Sequence, residues 1–311
     1  MKKLILENPL APGDILISTS AFRDLHKAFP GEYLTDFRVP TGAEQIFENN
    51  PYITKIEDKD PEAQRIRLDY PDIHNSGWSG RPFSAAHSLE LGNKLGIQIP
   101  HTSLMPDIFL SQDEKLWPSP ALKGCGYDGK YWIINAGIKN DYTLKFYPWY
   151  QEVVDMLKGE VQFIQVGQLE HSHKPLEGAL DMRGKTDLRQ LFRLSYHAEG
   201  AVSAVSLQMV VMAAFQKPCV VVSGGREPIR WQMYPNHRFL AVNGSIICAA
   251  YDGCWKSKKQ DCVNLVEVND SNGFAANVPL CMEMIRPEDI VRAIRLYYIG
   301  GVLKTEEKVH A

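Results

Sequence analysis

The chain has no apolar run near the ~20 residues that a membrane-spanning helix needs, so no transmembrane segment is expected. Basic charge is not in excess: 34 Lys and Arg stand against 37 Asp and Glu, a net charge of −3. Nucleic-acid-binding domains usually carry a basic footprint, so nucleic acid is not an expected partner. Met1-Lys2-Lys3 leads into only Leu4-Ile5-Leu6 before Glu7 and Asn8, too short an apolar stretch for a secretory leader. A cytoplasmic location is therefore expected, where the six cysteines read as thiols or metal ligands rather than disulfides. No G-x-S-x-G elbow or H-E-x-x-H helix occurs, and the one G-x-G-x-x-G match, Gly124-Cys-Gly-Tyr-Asp-Gly129, precedes the strand expected at Tyr131–Asn135 instead of following one, which sets aside hydrolase, zinc-protease and nicotinamide-dehydrogenase readings. The histidines are scattered, and His171-Ser172-His173 reads as a short solvated pair.

What is present is alternation. Apolar residues make up 44% and charged residues 23% of 311, a globular profile long enough for two domains. Short apolar runs alternate with helical patterns, the mark of βαβ units and a largely parallel sheet. In the first half, strands are expected at Lys3–Glu7, Tyr33–Val39, Ile53–Asp58 and Arg65–Asp69, and helices at Ser18–Phe29, Gly42–Asn49 and Ala85–Leu95. A Pro/Gly-rich stretch from Pro100 to Tyr127 reads as a linker. The pattern then restarts with strands at Tyr131–Asn135, Val161–Val166, Ala201–Ser206 and Cys219–Ser223. Helices are expected at Trp149–Lys158, Leu188–Ala198, Leu207–Phe215 and Pro287–Tyr298. The expected architecture is two doubly wound, Rossmann-like domains, 1–120 and 121–300, facing across a cleft, with a polar tail at 301–311.

Several clusters would fall at strand ends facing that cleft. Gly13 and Asp14 follow the first strand, where open α/β sheets bind ligands; Asp14 either caps the next helix or serves the cleft. Gly137 lets a ligand approach the backbone after a buried strand, and Lys145 precedes the following helix, where a cation can meet a phosphate. Gly184-Lys185-Thr186-Asp187 opens a helix whose N-terminus is a natural phosphate site, although the turn is not a Walker A loop. Ser206 precedes another helix. Arg226, after Gly224-Gly225, can clamp an anion or pair with Glu227. Trp78 and Arg81, in His74–Arg81, can face an acceptor or form an exposed turn.

Together these residues resemble glycosyltransferase family 9, the heptosyltransferase-like enzymes of the GT-B fold, from about residue 2 to 296. Gly13-Asp14-Ile15-Leu16 with Ala21-Phe-Arg-Asp-Leu25 resembles the family's "GD-x-L … A-x-R-x-L" signature. Lys145-Phe-Tyr-Pro148 is similar to "K-x-W-P", Gly184-Lys-Thr-Asp-Leu188 to "G-K-T-x-L", and Val210–Pro218 with Gly224 to "H-L-A-A-A-x-x-x-P … G". The resemblance implies inverting transfer of a heptose-like sugar from a nucleotide sugar such as ADP-heptose to a hydroxyl of a glycan or protein. It makes Asp14 the base, puts Lys145 near the donor phosphates and Glu170 near the nucleoside, and requires no cofactor for the chemistry. The family's "D-[ST]-G-x-x-H" is replaced by Val205-Ser-Leu-Gln-Met-Val210, keeping only Ser206 of its polar groups. Donor contacts then shift to Lys185, Thr186 and Arg226, or the chain is a degenerate nucleotide-sugar-binding scaffold. Epimerisation or hydrolysis of a nucleotide sugar is a further alternative. A homo-oligomer is compatible with the resemblance.

Cys248, Cys254, Cys262 and Cys281 share one polar, loop-like stretch without the C-x2–4-C pairs of a zinc ribbon. Four thiolates can close a tetrahedral zinc or iron site, and some autotransporter heptosyltransferases of the family carry iron on four cysteines. Reduced thiols in an irregular loop are the alternative. Cys219 reads as a core residue, and Cys125 has no evident partner.

Overall fold

The computed structural model describes residues 1–69, 80–116, 122, 127–137, 143–171, 173–250, 253–254, 261–269 and 275–300. Trp78, Cys125, the tail and parts of the expected linker lie outside these residues.

The chain opens with β1 (Lys2–Glu7), whose Leu4, Ile5 and Leu6 are all buried, as a strand covered on both faces requires. α1 (Pro12–Ala28) follows. It starts at Pro12 rather than Ser18, because proline suits the first helical position, where no N–H partner is needed. Ala11 is the N-cap, so Asp14 lies inside the first turn and is not the cap. β2 (Tyr33–Arg38) and β3 (Ala63–Arg67) flank β1 in a parallel sheet of order β2-β1-β3. The strand expected at Ile53–Asp58 shrinks to one bridge between Thr35 and Ile53, since Lys55, Glu57 and Asp58 beyond it face solvent. The helix expected at Gly42–Asn49 is a 3-10 turn, Ala43–Phe47. α2 (Phe83–Leu95) packs on α1, and α3 (Gln112–Leu116) follows.

The second half contains β4 (Trp132–Asn135), α4 (Tyr150–Met156), β5 (Phe163–Gln165), β6 (Leu180–Asp181) and α5 (Leu188–His197). These are followed by β7 (Gly200–Ala204), α6 (Leu207–Ala214), β8 (Cys219–Gly224) and β9 (His237–Ala241). The strands form one parallel sheet of order β6-β5-β4-β7-β8-β9. Counted from β4 this is 3-2-1-4-5-6, the doubly wound order that binds ligands outside the carboxyl ends of the two central strands. Those strands are β4 and β7. Part of the stretch read as loop is an antiparallel hairpin, β10 (Leu265–Asn269) and β11 (Ala275–Pro279). α7 (Leu280–Glu283) and α8 (Pro287–Tyr298) complete the described elements.

One apolar core runs through both halves. Leu4, Leu16 and Phe22 of the first half share a cluster with Phe192 of α5 and with Met209, Val210 and Met212 of α6. α1 packs directly on α6. A second cluster, with Trp132, Phe163, Val220, Ile290 and Ile294, covers the far face of the second sheet. The segment after α2 is pinned rather than loose. Arg23 of α1 donates to the carbonyls of Ser103 (2.9 Å) and Met105 (2.8 Å) and to Asp107 (2.9 Å).

Asp24, beside Arg23, is wholly buried and accepts from Ser88 (3.1 Å), His101 Nδ1 (3.1 Å) and Thr102 Oγ1 (2.5 Å). Burial opposes ionisation of this carboxyl, but the bonds from His101 and Thr102 and the charge of Arg23 outweigh it and hold the carboxyl below its usual range. A carboxylate with a lowered folded-state pKa stabilises the fold above its unfolded pKa and loses that contribution as pH falls. Asp24→Ala should cost about 3–5 kcal/mol in urea denaturation at neutral pH, since it strands buried donors. It should also flatten the loss of stability below about pH 4.

Candidate functional site

Three ionic side chains meet at the carboxyl edge where β4 and β7 adjoin. Lys145, in the short 3-10 turn Thr143–Lys145 that leads to α4, places Nζ 3.0 Å from Glu227 Oε1 and donates to the Val205 carbonyl at 2.9 Å. Arg226, just past β8, donates through Nη1 to the same Glu227 oxygen. Burial alone would protonate Glu227, but Lys145 and Arg226 outweigh it and keep the carboxyl ionised. Two cations share this one anion.

That cluster lies beside the start of α6. Ser206 is the N-cap there, with no side-chain capping bond, and its Oγ is buried without a partner among the described residues. The opening N–H groups of a helix have no intrahelical acceptor and point outward. Directly against them lies the first turn of α1. A Cβ added to Gly13 would lie 3.4 Å from Leu207 Cα, so the two helix starts nearly touch. Asp14 is the next residue, half-buried. It is close enough to Tyr234 that its charge adds to burial in pushing that phenol above its usual range. Gly13 thus adjoins the start of α6, Lys145 reaches the Val205 carbonyl just before it and meets Arg226 on Glu227, and Asp14 lies near Tyr234.

Other expected site residues lie elsewhere. Lys185 is exposed and donates to the Asp181 carbonyl at 2.7 Å. The N-terminus of α5 is already satisfied. Gln45 Oε1 accepts from Leu188 (3.0 Å) and Arg189 (3.4 Å), and Asp187 and Gln190 form a capping box. The turn with Lys185 and Thr186 also leaves from β6, three strand positions from β7, or roughly 14 Å at ~4.8 Å per strand. Gly137 abuts the His171 and His173 side chains, at 3.0 Å for an added Cβ, instead of α6. Glu170 is exposed in the turn after β5. Gln208, in the replaced motif, turns toward α5, with Nε2 donating to Ser195 Oγ at 3.0 Å.

Cys248, Cys254, Cys262 and Cys281 line one small cavity, together with Gly225 and Arg226. Burial, and the neighbouring thiols beside it, push Cys281 up to about 11. Soft sulfur donors around one hollow fit iron or zinc chemically. Among the described residues no three ligating side chains are gathered into a metal-holding arrangement. Cys219 is buried in β8, as expected of a core residue.

No protein-family model and no curated protein sequence matches the chain. Solved structures do. The ADP-heptose lipopolysaccharide heptosyltransferase II of E. coli superposes with a TM-score of 0.65 over 96% of this chain and 98% of its own, at 14% identity. A family 9 glycosyltransferase from Veillonella parvula gives 0.66 over 96% and 97%, at 13% identity. This is the heptosyltransferase fold. A third match is TibC, a dodecameric iron-containing heptosyltransferase from enterotoxigenic E. coli, solved with ADP-D-beta-D-heptose. It reaches 0.63 over 95% of this chain and 76% of its own, at 16% identity. In this GT-B arrangement of parallel sheets, the Gly13–Leu207 approach is where the two halves meet at the charged cluster. Glu227 was visible in the sequence only as a neighbour for Arg226, and its bond to Lys145 depends on the sheet order. Among the described residues no helix is long and apolar enough to cross a membrane.

Gly13→Ala should be tolerated, because its Cβ fits at ordinary contact distance. Gly13→Leu should wedge α1 from α6 and cost about 1–3 kcal/mol in thermal or urea unfolding, as overpacked cores do.

Proposed function

We propose that the chain moves a heptose-like sugar from a nucleoside diphosphate sugar to an acceptor hydroxyl on a glycan or protein, with inversion at the anomeric carbon. The observation that carries this reading is the Lys145–Arg226–Glu227 cluster near the start of α6, against which Gly13, the neighbour of Asp14, packs through Leu207. The cluster offers a diphosphate two cations and a helix N-terminus at the sheet's switch point. The neighbouring carboxylate offers the acceptor a base.

The step runs as follows. The acceptor oxygen attacks the anomeric carbon and gives its proton to the Asp14 carboxylate. The bond from that carbon to the diphosphate oxygen breaks, and the nucleoside diphosphate leaves with the electron pair. Lys145, Arg226 and the N–H groups of α6 meet the charge that grows on the leaving group, the kind of preset stabilisation that contributes most to such transfers. Ser206, with its buried unpartnered hydroxyl, serves the same oxygens. The nucleoside role that the resemblance gives to Glu170, exposed in the turn after β5, is kept in this reading. Lys185 and Thr186 contribute only if the α5 turn gives up its present bonds, so Lys145 and Arg226 are the primary phosphate residues.

Cys248, Cys254, Cys262 and Cys281 are read as holding a structural iron or zinc ion, with all four thiols ionised by the metal. Metal analysis of the purified protein should find it, and any of the four Cys→Ser variants should lose most of it. Protein without metal, or with metal untouched by these variants, rejects the site.

Asp14→Asn should lower transfer from ADP-heptose by about 10²–10⁴ while leaving ADP affinity within several-fold, as expected for loss of a general base. Product analysis with labelled donor checks it. Near-normal turnover of the variant removes Asp14 from the role, and absence of any nucleoside diphosphate binding by the wild type rejects the transferase reading.

A further inference from the structure

We infer that Glu227 is a positioning residue for the diphosphate, holding Lys145 and Arg226 side by side beneath it; this rests on the transferase reading above. The two cations converge on a single oxygen, Oε1, of one carboxylate. Their order of depth is clear. Side-chain exposure falls from 22% for Lys145 to 15% for Arg226 and 9% for Glu227. The acid is therefore the floor of the cluster and the cations its upper surface.

Glu227 is itself held by backbone packing. Gly253 presses on the Arg226–Glu227 peptide, and a Cβ there would lie 2.3 Å from the Arg226 oxygen and 3.0 Å from the Glu227 nitrogen. Its φ of +94° suits glycine as well. Asn243 Nδ2 donates to the Glu227 carbonyl at 3.4 Å. Lys145 has three donors. Glu227 and the Val205 carbonyl take two of them and leave the third for a phosphate oxygen.

Two cations this close repel each other, and a neutral side chain at 227 cannot hold both. A glutamine in the same pose keeps one oxygen for both donors but lacks the charge that offsets their repulsion, and it puts an NH2 group where the second carboxylate oxygen was. Simple charge counting and positioning therefore predict opposite signs. Removing a negative charge beside an anion site tightens binding if Glu227 only competes for the cations. It weakens binding if Glu227 keeps them in place.

The test is calorimetric titration of wild type, Glu227→Gln and Glu227→Asp with ADP, AMP and inorganic pyrophosphate. Glu227→Gln should weaken ADP and pyrophosphate by about tenfold or more, the scale of one lost charge-assisted hydrogen bond. AMP should change far less, so the preference for ADP over AMP collapses; a general folding defect would lower all three alike. Glu227→Asp keeps the charge but draws the carboxylate back by one methylene, and should fall between wild type and Gln. It carries the test alone if Glu227→Gln does not fold. Glu227→Gln binding ADP as tightly as wild type or tighter, Glu227→Asp unchanged from wild type, or an equal loss for ADP and AMP overturns the inference while leaving the transferase reading in place. A wild type that binds neither ADP nor pyrophosphate overturns both.

Discussion

The close packing of α1 on α6 is the contact on which the rest depends. It joins the core of the first sheet to that of the second. It leaves room for no more than a methyl group at Gly13, where an added Cβ would already touch the backbone of Leu207. It also fixes which strand ends face each other, because each helix starts directly after a strand, β1 in one half and β7 in the other. A shift of either helix would move Asp14 away from the cations and open the buried apolar faces of Met209 and Val210.

The same contact creates an electrostatic problem. Two helix N-termini, each with about half a positive charge, point into one space that also holds Lys145 and Arg226. Left uncompensated, that field would push the halves apart. Glu227 offsets part of it from below, and Asp14, in the first turn of α1, offsets part of it from the side.

Much of this was legible in the sequence, for physical reasons. Buried parallel strands read as continuous apolar runs, so β1, β4, β7 and β8 stood out, and α8 announced itself by Pro287 followed by Glu288 and Asp289. β6 did not, being two residues long, nor did β9, an edge strand that is mostly half-buried. The amphipathic pattern misplaced the start of α1, because Pro12-Gly13-Asp14 looks like a turn until the helix forms around it. The α5 turn looked like a phosphate loop because its composition is right. Gln45, far away in sequence, takes its N–H groups, and no local pattern reports that. Glu227 next to Arg226 looked like a surface pair. Only the sheet order, which sets β4 beside β7 and β7 beside β8, turns it into the shared partner of Lys145.

The cysteines extend the same lesson. Their spacing is irregular because a hairpin intervenes: Leu265 pairs with Pro279, which returns the chain so that Cys262 and Cys281 face one hollow. That hollow and the charged cluster are neighbours. Leu144 lines the cavity, and the next residue, Lys145, binds Glu227. Arg226 belongs to both. The two are stitched by backbone, since the Cys254 N–H donates to the Gly225 carbonyl at 3.0 Å and Gly253 packs on the Arg226 carbonyl. Such contacts have almost no slack, because close-packed interiors transmit displacement instead of absorbing it. The described part of the cysteine stretch thus packs directly on the backbone that carries Arg226 and Glu227.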